Sequence, residues 1–213
     1  MKRKWLVAMG WLASFLIWTL AVQYVDVAQV GPNGSAVGLA TLNTWFHSLT
    51  GVNMTLYTLT DWLGLVPVAV CVVFAVMGIR QWIVRKHLLR VDADLLILGG
   101  FYILTMAAYL LFEEVVINYR PVWINGYLEA SYPSSTTLLV LCVMLTAWHQ
   151  VNQRVRNHTA RRILWMLIGV FVLGMVVGRL LSGVHWLSDI IGGILLSFGL
   201  FALYDAACSC VKR

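Results

Sequence analysis

Charged side chains are scarce in this sequence: they make up 11% of its 213 residues, against about 25% in an ordinary soluble domain. Too few are present to solvate a globule of this length, so a soluble fold is excluded. Cysteine is sparse as well. Cys71 and Cys142 fall inside apolar runs and Cys208 and Cys210 near the end of the last one, which argues against a framework of extracellular disulfides and for structural or unpaired thiols. No repeat, low-complexity tract or second domain is visible, so the chain reads as a single integral membrane domain over 1–213.

What the sequence does have is hydrophobic length. Apolar residues supply 61% of it, the mean hydropathy is +0.82, and runs of about 20 apolar residues are what a ~30 Å hydrocarbon core requires. The expected fold is all-α, a polytopic bundle of about six transmembrane helices near 5–23, 63–84, 95–116, 134–149, 163–181 and 186–204. The run 134–149 is short for a span, although its Ser and Thr can sit in the headgroup layer. Between the first two spans, Leu39, Leu42, Trp45, Phe46 and Leu49 recur at helical spacing within 36–57, which predicts one interfacial helix. The opening Lys2-Arg3-Lys4 and its apolar run are long for a cleavable signal and read as an anchor.

Positive charges sort to one side. Lys2, Arg3 and Lys4 precede the first span, Arg80, Arg85, Lys86 and Arg90 lie between the second and third, Arg154, Arg156, Arg161 and Arg162 between the fourth and fifth, and Lys212 and Arg213 after the sixth. With six spans all of these are cytoplasmic, and so are both termini. Of the fifteen Lys and Arg only Arg120 and Arg179 remain, both on the opposite face. An arginine near lipid is costly without a partner, so these two exceptions are informative. The net charge of +6 reflects this topology and attraction to anionic lipids, and calls for no nucleic-acid partner.

The same face gathers further polar residues. Arg120-Pro121 follows the third span, Pro133-Ser134-Ser135-Thr136 opens the fourth, Arg179 ends the fifth, and His185 and Asp189 begin the sixth. On a helix, residues four apart share a face, so Asp189 is placed to hold the His185 proton and leave the other ring nitrogen free to attack. Arg120 and Arg179 offer forks suited to phosphate oxygens, and Ser134 with the free amides at its helix start adds donors for an anion.

These residues carry a resemblance to the type 2 phosphatidic acid phosphatase superfamily, the lipid phosphatase and haloperoxidase group, in its membrane branch. Its three motifs are Lys-x6-Arg-Pro, Pro-Ser-Gly-His and Ser-Arg-x5-His-x3-Asp. The third is matched by Gly178-Arg179-Leu180-Leu181-Ser182-Gly183-Val184-His185-Trp186-Leu187-Ser188-Asp189, the first in Arg120-Pro121 and the second in Pro133-Ser134. The resemblance covers about 95–203. It implies a hydrolase that uses neither metal nor cofactor: His185 attacks phosphorus, Asp189 orients it, and Arg120, Arg179, Ser134 and the Ser135 amide hold the phosphoryl oxygens. It implies a membrane phospholipid or polyprenyl phosphate as substrate and, with the charge pattern, a bacterial plasma membrane with the site extracytoplasmic. Oligomeric state is left open.

Two motif positions depart from the pattern. Glu113 stands where the family has Lys, and Thr136 where it has the His that protonates the leaving group; Gly178 replaces a Ser. Glu113 is expected to clamp Arg120. An alcohol leaving group needs a proton and a phosphate monoester hardly does, so the loss of the acid tilts the reading toward a polyprenyl diphosphate. His47 is the other histidine on this face that could replace the acid. A phosphotransferase, an impaired relative that binds or moves phospholipid headgroups, and a transporter are the competing classes, the last with its charges at span ends where a midplane location is usual.

Overall fold

The computed structural model describes residues 1–211, and among them every regular element is a helix, with only isolated bridges in the connecting segments. Its helices are α1 (Lys2–Tyr24), α2 (Ala40–Thr50), α3 (Met54–Leu63), α4 (Leu65–Arg85), α5 (Ala93–Glu114), α6 (Ser135–Arg154), α7 (His158–Leu181) and α8 (Leu187–Val211). Lys212 and Arg213 lie outside the described residues. Five stretches are long and apolar enough to cross a membrane: α1, α3 with α4, α5, α7 and α8. A helix suits that setting because it satisfies every backbone group internally.

α6 is the sixth long helix, and it runs to Arg154, five residues beyond its expected end. Twenty residues rise about 30 Å, so its length suffices. Its modest hydropathy follows from its place: ten of its residues are buried, and it packs on α8, α7, α4 and α5. A helix shielded by its neighbours can keep Thr137, Thr146 and Gln150 because they find partners inside. Thr146 Oγ1 donates to the Cys142 and Val143 carbonyls at 2.9 and 2.8 Å, and Gln150 Nε2 donates to Tyr204 Oη at 2.9 Å.

Where one interfacial helix is expected over 36–57, the chain forms α2 and then turns into α3, which continues into the α4 span. Gly51 takes φ +60, and Asn53 starts α3 by accepting the Leu56 N–H at 2.9 Å, so the chain turns between α2 and α3. The core runs down α8, where Leu196, Leu200, Tyr204 and Cys208 meet Phe15 and Val22 of α1, Leu95, Leu98 and Phe101 of α5, and Leu138 and Cys142 of α6. Gly192 lets α8 touch the loop before α6: a Cβ there would lie 2.6 Å from the Tyr132 ring. The ends that carry Lys4, Arg85 and Arg154 share one face, since Lys4 pairs with Asp205 at 2.6 Å and Arg154 with Asp94 at 2.6 Å and Asp92 at 3.3 Å. Arg120 and His185 lie at the other end of the bundle.

Candidate active site

Two irregular segments build the site. The first joins α5 to α6 and folds back on itself through a tight Asn125-Gly126 turn, both residues at positive φ, with bridges Ile124 to Tyr127 and Tyr119 to Ala130. This hairpin sets Arg120 opposite Glu129, whose carbonyl accepts the Arg120 N–H at 3.1 Å, and Ser131 opposite Asn118, whose carbonyl accepts the Ser131 N–H at 2.9 Å. The second is the turn from α7 to α8. It passes so close to the α2–α3 elbow that a Cβ on Gly183 would lie 1.8 Å from the Gly51 carbonyl oxygen. At its end Asp189 reaches back to accept the Trp186 N–H at 2.9 Å, half of a capping box that starts α8.

His185 therefore precedes α8, and the four-residue spacing to Asp189 does not act as a helical one. Their expected direct contact is replaced by a bridge: Ser131 Oγ lies 3.0 Å from His185 Nδ1 and donates to Asp189 Oδ2 at 2.5 Å. Asn118 Nδ2 and Ser188 Oγ donate to Asp189 Oδ1 at 3.2 and 3.3 Å. His185 Nε2 faces Arg120 Nη1 at 3.4 Å. The ring is 3% exposed. Burial, reinforced by Arg120 and Arg179, holds it well below the ordinary histidine range and therefore neutral, with a hydrogen bond from the ring to the Ser131 backbone partly offsetting this.

The arginines are buried yet incompletely satisfied. Arg120 Nε pairs with the Glu129 carboxylate at 3.0 Å, so Glu129 takes the clamping role expected of Glu113; the hairpin sets it across from Arg120, whereas Glu113 sits on the last turn of α5 and interacts with Tyr109. Arg179 lies over the Tyr57 ring at 4.6 Å, donates to Thr60 Oγ1 at 3.2 Å and stands 3.7 Å from Asp61, all on α3. Neither guanidinium Nε makes a hydrogen bond. Ser134 is fully buried: its hydroxyl oxygen accepts from Thr137 Oγ1 at 3.1 Å and, at 3.5 Å, the Thr137 N–H, while its own N–H donates to the Asp189 carbonyl at 3.0 Å. Ser134 thus caps α6 and ties it to α8. The amides of Ser135 and Thr136 follow in that first turn, where backbone N–H groups have no intrahelical partner.

The chain matches the model of the PAP2 superfamily over residues 94–207, more than half its length. It belongs to that superfamily. No sequence match was found among curated proteins. In fold the PAP2 chain is similar to a crystal structure of a transmembrane PAP2-type phosphatidylglycerolphosphate phosphatase from Bacillus subtilis, with a TM-score of 0.66 and 17% identity over 97% of this chain and 98% of that one. At the level that the family sets, the protein is an integral membrane lipid phosphatase.

The two departures from the PAP2 pattern occupy different places. Glu113 lines a small niche with Ser131, Pro133 and Ser135. Thr136 and Ser135 instead line a cavity of about 490 Å³ that runs between α4, α5 and α6, past Leu65, Tyr102, Met106 and Leu139. His47 is on the last turn of α2, its ring 5.4 Å from that of Trp186, and burial lowers its pKa. It touches the wall of the site. Residue pattern alone did not single out Ser131, Asn118 or Glu129. The Asn125-Gly126 pair was the available signal, since such a pair marks a two-residue hairpin and so brings the residues on either side together.

Proposed function

We propose that this protein hydrolyses a phosphate or diphosphate lipid headgroup through a phosphohistidine on His185, with a polyprenyl diphosphate somewhat favoured. The observation that carries the reading is the buried, neutral His185 whose Nε2 faces Arg120 at 3.4 Å while its Nδ1 is tethered. Nε2 attacks phosphorus, and the bond to the lipid oxygen breaks with its electron pair leaving on that oxygen. Water then attacks the phosphohistidine, the P–N pair returns to Nε2, and the water proton leaves with phosphate. Arg120, Arg179 and the amides at the start of α6 hold the phosphoryl oxygens, and Asp189 supports the ring.

Thr136 offers no proton at physiological pH, which favours a leaving group that needs none. The largely apolar lining of the cavity that Ser135 and Thr136 border suits the hydrocarbon chain of such a substrate. Phosphate release from polyprenyl diphosphate, phosphatidate and phosphatidylglycerol phosphate, with His185→Ala as the blank, tests the proposal. Release from none of them by purified protein overturns it in favour of a headgroup-binding relative. The cation pattern supports an extracytoplasmic site. Tyr127→Cys, exposed at the hairpin tip, should react with a membrane-impermeant maleimide on intact cells; reaction with a permeant reagent alone reverses the orientation.

A further inference from the structure

We infer that Ser131 is a positioning residue that sets the tautomer of His185 and carries the charge of Asp189 to it. Resting on the proposed role of His185 as nucleophile, this reading follows from counting protons at both ends of a short hydrogen-bonded chain.

From the carboxylate end, Asp189 receives donations from the Trp186 backbone at 2.9 Å and the Asn118 amide at 3.2 Å. Both groups can only donate, and Ser188 Oγ donates as well at 3.3 Å, so both oxygens of Asp189 are engaged as acceptors, the arrangement that favours the ionised carboxylate. Ser131 has a single hydroxyl proton, and it is committed to Asp189 Oδ2 at 2.5 Å. Toward His185 the Ser131 oxygen can then only accept. The 3.0 Å contact therefore requires the ring proton on Nδ1.

From the other end, Nε2 faces a guanidinium nitrogen of Arg120 at 3.4 Å. Arginine has no acceptor to offer, so the atom opposite it must present a lone pair. Both ends demand the same tautomer. The ring carries its proton on Nδ1 and its nucleophilic pair on Nε2, toward the arginine that would hold a phosphate.

Within the described residues no other side chain meets Nδ1. Asp189 is anchored to the start of α8 by the Trp186 amide, whereas His185 stands before that helix; Ser131 spans the interval. As phosphorus is attacked the imidazole becomes cationic, and the Nδ1 proton strengthens its bond to a Ser131 oxygen that Asp189 polarises. A merely space-filling serine would give none of this. Because Ser131 arrives on the hairpin and Asn118 of the same hairpin also grips Asp189, the alignment of the nucleophile depends on the α5–α6 segment as well as on α8.

The test uses full-length Ser131→Ala, Ser131→Cys and Ser131→Thr beside His185→Ala, with farnesyl diphosphate in detergent micelles as the probe and thermal unfolding as the folding control. Ser131→Ala should lower kcat about 10²-fold with KM little changed. It should also move the acid limb of kcat/KM to lower pH, since a cationic ring loses the hydroxyl partner of Nδ1 and keeps only the residue-131 backbone. Cys, a weaker partner of similar size, should fall between Ser and Ala, and Thr should recover most of kcat. A folded Ala variant with wild-type kcat and an unmoved limb overturns the relay. Should Ala fail to fold, Cys at wild-type kcat does the same. Turnover by His185→Ala would instead sink the nucleophile reading, whereas an inactive His185→Ala beside a fully active Ser131→Ala removes the relay alone.

Discussion

On the histidine side of the site, no buried side-chain atom of His185, Ser131, Asn118 or Asp189 lacks a hydrogen bond, whereas on the arginine side the Nε atoms of both Arg120 and Arg179 lack one. The histidine side is closed by obligate pairings from α8, the hairpin and the Trp186 backbone. Across from it, the guanidiniums are balanced by Glu129 and Asp61, side chains 42% and 60% exposed. A half-exposed carboxylate gives up an ion pair at small cost, because water replaces the lost contact. On the proposed mechanism the contrast separates two tasks: a nucleophile must be fixed before substrate arrives, while a phosphate cradle must exchange one anion for another.

If that division holds, damage should scale with it. His185→Ala should cost at least ~10³-fold in kcat, read as phosphate release. Arg120→Lys keeps the charge but loses the fork and should lower kcat/KM about 10- to 10²-fold, the loss expected for one charge-assisted hydrogen bond. Thr136→His restores an acid and should raise phosphatidate hydrolysis about tenfold more than diphosphate hydrolysis. Equal gains on both substrates would assign the introduced ring to binding. Glu129→Gln, the mildest, should change kcat/KM by no more than about threefold, upward and less so at high salt, because the competing anion is gone.

The closed half also predicts a pH response. Since the folded chain holds His185 below the ordinary value of 6.5, the unfolded chain takes up a proton that the folded one refuses. Stability is present above that value and is lost as pH falls beneath it. The thermal midpoint in detergent should decline between about pH 7 and pH 5, and the slope should flatten in His185→Ala. A wild-type midpoint independent of pH in that range would mean that the ring is not held neutral.

The membrane bundle was legible because lipid leaves the backbone few choices, and the hydropathy of five stretches follows from that alone. The buried α6 was hard to read for the opposite reason: surrounded by other helices, it needs no apolar surface of its own, and its Thr and Gln disguise a span. At the site, Arg120, Arg179, His185 and Asp189 stand out because charge is rare on that face. Ser131 and Glu129 do not, since an ordinary serine and a surface glutamate acquire their parts only when the Asn125-Gly126 turn folds them back. Helical spacing predicts a direct Asp189 contact that does not form, because His185 lies before its helix.

α1 packs along α8, with Trp18 Nε1 donating to the Ser188 carbonyl at 3.0 Å and Thr19 Oγ1 2.7 Å from Tyr132 Oη, beside the turn that α8 completes. On the ribosome α1 enters the bilayer long before its partner is made, and until α8 follows, its indole N–H has no carbonyl to meet. The same helix delivers Asp189 and fixes the turn that holds His185. Completing the bundle and assembling the His185–Asp189 cluster are thus one event in the life of the chain.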